Sequence, residues 1–110
     1  MVETLKWGNA DMFRVEEAAL KSPLSYYTED EALVAANWSW LNPKYVRDDH
    51  ECPSIFQSWI VQVGGKIIVI DPCTGNGRNF PDFPPAHMLN TPYIERFEAT
   101  GIKPTDVDYV

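Results

Sequence analysis

The clearest pattern in the chain lies near its middle. Ile55 to Val63 is rich in β-branched and aromatic residues, Gly64-Gly65 interrupts it, and Lys66 to Asp71 resumes it. Two glycines between such runs predict a hairpin, because its tight turn needs positive φ, which glycine adopts cheaply. Ile67 to Ile70 is apolar at every position. A strand of that kind is expected to be covered on both faces, inside a layered α/β arrangement. Upstream, Asp11 to Glu17 alternate loosely and predict a first strand. Ser22 to Glu31 is polar, holds Pro23, and reads as a loop. Between Asp30 and Trp40 the spacing of Leu33, Val34, Asn37 and Trp38, running on to Leu41, predicts a short helix. Asp30 can cap it and Pro43 stops it. Pro43 to Pro53 reads as polar loop.

Pro72 to Asn90 is irregular, with four prolines and two glycines in 19 residues. A loop this long in a compact domain is usually functional or disordered, and Phe80, Phe83, His87, Met88 and Leu89 give it side chains that can pack. Thr91 then reads as a helix cap, with Pro92 in the first helical position and Glu95 and Glu98 near the positive end. Ile94 and Phe97 form the expected buried stripe. Gly101 ends the helix and Pro104 prevents its resumption. Thr105 to Val110 reads as a turn entering a strand.

Composition narrows the partners. The 110 residues are 45% hydrophobic and 23% charged, as in ordinary globular protein. A net charge of −7 and a pI near 4.6 argue against nucleic acid or an anionic membrane as a partner. No apolar run has the length of a membrane span, and the start lacks a signal-peptide pattern. A cytoplasmic location is therefore expected. A two-residue turn at Gly64-Gly65 sets Cys73 opposite Phe56, four residues from Cys52. That offset is about 13 Å along a strand, beyond the roughly 7 Å a disulfide tolerates, so no bridge is expected.

The run Ile68-Val69-Ile70-Asp71-Pro72-Cys73-Thr74-Gly75-Asn76-Gly77 resembles the second-strand motif of the metallo-β-lactamase superfamily, an apolar strand ending in Asp and a small-residue loop. Leu89 to Arg96 and Thr100 to Val110 extend the likeness toward the branch that holds quorum-quenching lactonases and organophosphate-hydrolase-like enzymes. The resemblance covers residues 55–110 closely and 1–54 loosely. It implies the N-terminal part of an αβ/βα four-layer sandwich, in the α/β (α+β) class. It also implies a hydrolase of esters, lactones, amides or phosphoesters that carries two zinc ions. Such ions lower the pKa of a bound water to about 7 and polarise a carbonyl or phosphoryl oxygen. The family's HxHxDH ligands would follow Val110, so this chain is expected to hold no metal and to be inactive by itself.

Within that resemblance Asp71 supports the metal site by hydrogen bonding; the plainer reading is a strand-end Asp capping the next turn. Phe80, Phe83, His87 and Met88 are expected at the lip of the substrate cleft, or as loop anchors. His50 and His87 lie 37 positions apart, and no short-spaced ligand pair accompanies them. Gly75-Asn76-Gly77 matches no phosphate-loop pattern, and Cys73 has no neighbouring base that would make it a nucleophile. Trp7, Trp38, Trp40 and Trp59 read as core, or as an interface with the rest of the fold or a homodimer partner. A non-catalytic binding or dimerisation module is the alternative reading. A small acid–base enzyme using Asp71 and His87 is the weakest.

Overall fold

The computed structural model describes Val2–Val110 as an α+β arrangement built on one antiparallel sheet of order β1-β2-β3-β4. The strands are β1 (Glu3–Trp7), β2 (Ala10–Pro23), β3 (Glu51–Val63) and β4 (Lys66–Ile70), with helices α1 (Glu31–Leu41) and α2 (Tyr93–Glu98). The chain divides into two compact units. One takes the residues up to Ala18 together with Ile55–Val110; the other is Ala19–Ser54.

The central hairpin has the predicted register. Val63 pairs with Lys66 and Trp59 with Ile70. Gly64 and Gly65 have φ of 57° and 72°, the two positive angles a type I′ turn demands. Cys52 and Cys73 are both free. Strand β1 carries only a short sequence signal, the Leu5-Lys6-Trp7 alternation, and all five of its residues are exposed. Gly8, at φ 60°, turns it back so that Trp7 pairs with Ala10.

Three boundaries differ from those predicted. Strand β2 runs through Ser22 and Pro23, and β3 starts at Glu51, with exposed Pro53 inside it. Main-chain pairing continues there across residues whose polarity reads as loop. Helix α2 begins after Pro92, and Thr91 does not cap it. The amide and carbonyl of Thr91 instead pair with the Asn76 side chain, at 2.9 and 2.8 Å.

The core of the first unit is Val15, Ile60, Val69, Phe97 and Ile102, with Phe13, Ile67, Tyr93 and Val107 packed around it. It lies on one face of the sheet. The expectation that β4 is covered on both faces fails. Val69 is 5% exposed but Ile70 is 50% exposed, and Leu5 and Trp7 on β1 are also open. Ile94 is likewise exposed, and Tyr93 takes its place beside Phe97. Trp7 and Trp40 are exposed and lie outside the core of this chain, while Trp38 and Trp59 are half-buried.

In the second unit, Asp30 caps α1 as predicted, its Oδ1 accepting the Leu33 N–H at 2.9 Å. No residue of α1 is buried. Asn37 accepts the Trp40 indole N–H at 2.8 Å, Trp40 meets Tyr45 edge-on, and Trp38 stacks on His50.

One-sided burial has a measurable signature. Ile60→Ala should cost about 2–5 kcal/mol in urea unfolding. Ile70→Ala should cost under about 1 kcal/mol, because half of its surface is already in water.

Candidate functional site

The site forms where β4 ends. Asp71 leaves the strand at φ 55°, Cys73 follows at 68° and Gly75 at 87°. Left-handed angles at two non-glycine residues cost free energy, so surrounding bonds must hold the turn. Alternation of this kind points successive amides toward one side and makes a cradle for anions.

Two carboxylates fill that cradle. The Asp71 side chain accepts the Cys73 N–H at 3.0 Å, closing the tight turn that suits Asp at a strand end. Glu17 comes from β2 and is only 1% exposed. Its two oxygens accept the N–H groups of Thr74 at 3.0 Å and Gly75 at 2.6 Å. Three consecutive amides are thus gripped by two carboxylates. The strand order explains why Glu17 is inside. Phe13, Val15 and Glu17 alternate onto the core face, and the third member of that row is charged because the loop supplies its partners.

Ser58 secures the other side and is fully buried. Its hydroxyl donates to the Asp71 carbonyl and lies 2.7 Å from the Tyr93 hydroxyl and 3.2 Å from the Cys73 sulfur. A carbonyl can only accept, so it takes the single Ser58 proton. The phenol and the thiol therefore donate to the two lone pairs of the Ser58 oxygen. Burial pushes both the Cys73 thiol and the Tyr93 phenol up from their ordinary values. Cys73 is thus a protonated donor, the opposite of an activated thiolate. Arg96 of α2 ties the helix to β2 by donating to the carbonyls of Glu16 and Glu17 at 2.9 and 3.0 Å.

Asp71 borders a cleft of about 470 Å³ together with Gln57, Trp59, Ile70, Cys73 and Thr74. Phe80, Phe83, His87 and Met88 do not line it. Phe83 reaches its wall through Phe56, on which it stacks at 6.5 Å. His87 Nδ1 accepts the Phe80 N–H at 3.0 Å and closes its own loop segment. Met88 donates its N–H to the Arg78 carbonyl at 2.7 Å. Among the described residues no three His, Cys, Asp or Glu side chains converge as metal ligands. No described helix is long and apolar enough to cross a membrane.

No protein-family model and no curated protein matches this sequence. The site therefore rests on its own geometry. Sequence reasoning singled out Asp71 and missed Glu17, Ser58 and Tyr93. A carboxylate and a hydroxyl at inward positions of otherwise apolar strand faces were the available signals for the first two.

The proton arrangement around Ser58 predicts a pH effect. A group raised by folding adds stability that is complete below its unfolded value and lost as pH rises through the folded one. Stability should begin to fall above about pH 8.5, the ordinary thiol value, through Cys73, and further above about pH 10, the ordinary tyrosine value, through Tyr93. Tyr93→Phe should lose about 0.5–1.5 kcal/mol at neutral pH and show a shallower alkaline decline, read by denaturation across pH.

Proposed function

We propose that this chain is the N-terminal portion of a metal-dependent hydrolase of the metallo-β-lactamase type, acting on an ester, lactone, amide or phosphoester. It supplies Asp71 and the frame around it, and the two zinc ions are held by residues beyond Val110. Among the described residues no three His, Cys, Asp or Glu side chains converge, so no metal is assigned to them in this reading. Their part is to position.

The observation that carries this reading is the contact between the end of the chain and β4. Tyr109 bridges Ile68 in parallel, with the Val69 N–H donating to the Tyr109 carbonyl at 2.9 Å. Asp108 adds an acceptor for the Ile67 N–H at 2.9 Å. Parallel pairing aims the chain at the Asp71 end of β4. A strand continued in that register would come level with Asp71 three positions after Tyr109. Residues placed there would share one sheet edge with a carboxylate already fixed in position, and ligands at strand ends of parallel neighbours are a common way to build a site.

The exposed sheet face favours a second reading. Leu5, Trp7 and Ile70 are half or more exposed, which is consistent with a non-catalytic module that dimerises through apolar surface. The two readings part on chemistry. In a form carrying the residues after Val110, hydrolysis should be abolished by a chelator and restored by zinc. Asp71→Asn should lower metal affinity or activity about 10–100-fold. A form that binds no metal and loses nothing to chelation would leave only the module.

A further inference from the structure

The strongest unassigned feature is the Glu17 carboxylate, a buried anion in a cradle of backbone amides. We propose that Glu17 is the positioning residue of the Asp71 site. Its carboxylate occupies the anion nest of Thr74 and Gly75 and so fixes the backbone path by which Asp71 leaves β4. Asp71 cannot do this alone. It grips one amide, that of Cys73, and its own φ of 55° resists the turn. Glu17 grips the next two from β2, two strands away in the sheet, and its backbone is held in turn, because Arg96 donates to the carbonyls of Glu16 and Glu17. The nest is chemically general. Two converging N–H groups, half-buried and relieved of their resident carboxylate, form a site for a small carboxylate such as formate.

The consequence for catalysis rests on the hydrolase reading; the positioning role does not, and the test keeps them apart. Cys73 lies between Asp71 and the two amides that Glu17 holds, so its thiol reports loop order. In the full chain carrying Cys52→Ala, the rate of Cys73 with a disulfide reagent is measured for Glu17, Glu17→Gln and Glu17→Ala. Glutamine keeps the shape and one acceptor but turns an NH₂ toward the other amide. Glu17→Gln should raise the Cys73 rate about tenfold, the change that 1.4 kcal/mol makes in an opening equilibrium. Glu17→Ala should react faster still and should be slowed, and its Tm raised, by formate but not by chloride at equal ionic strength. Formate should leave the unsubstituted chain unchanged. Should Glu17→Ala not fold, Glu17→Gln carries the test. A Glu17→Gln protein with the parental thiol rate, or an alanine variant that formate and chloride affect alike, overturns the proposal whether or not the longer form hydrolyses anything.

Discussion

Three consecutive amides, those of Cys73, Thr74 and Gly75, point into two carboxylates, and the arrangement at the end of β4 depends on that grip. Without it, left-handed angles at Asp71 and Cys73 would be offset only by their contacts with Ser58. The grip also explains why an otherwise apolar sheet face carries a charged residue at Glu17. A buried carboxylate is costly unless hydrogen-bonded, and charge-assisted bonds to backbone N–H groups are among the stronger ones available. Fold and site are therefore one construction. The core row Phe13, Val15, Glu17 ends in the group that shapes the loop, and the core residue Phe97 sits on the same short helix as Tyr93 and Arg96.

Polarity is graded across this loop. On one side Ser58 sends its proton to the Asp71 carbonyl and receives those of Tyr93 and Cys73. On the other side Asp71 faces a cleft with Trp59, Ile70 and Gln57. The chain thus fixes the backbone of Asp71 from within and presents its residue to an open cleft, as a group that orients ligands at a metal site would require. The tail reinforces this geometry by pairing Asp108 and Tyr109 with β4.

Legibility in the sequence followed physical cause. The Gly64-Gly65 hairpin, its register and the Asp30 cap were readable because glycine angles and side-chain caps are local. Strand β1 was not, because main-chain pairing holds it and its alternation, Leu5-Lys6-Trp7, is only three residues long. The covering of β4 was misjudged because an all-apolar run says what a strand tolerates and not what lies against it. Asp71 could be found from its place after an apolar strand. Its partners came from β2, β3 and α2, and only the folded chain brings residues 17, 58 and 93 to one loop.

In the function proposed for it, this chain prepares a carboxylate for a metal site completed by further residues. The most direct measurement is the intact mass of the native protein together with its metal content. The expected result is a species heavier than the 12.5 kDa of this sequence that carries about two zinc ions. A metal-free species of 12.5 kDa that is monodisperse and unfolds cooperatively would contradict it.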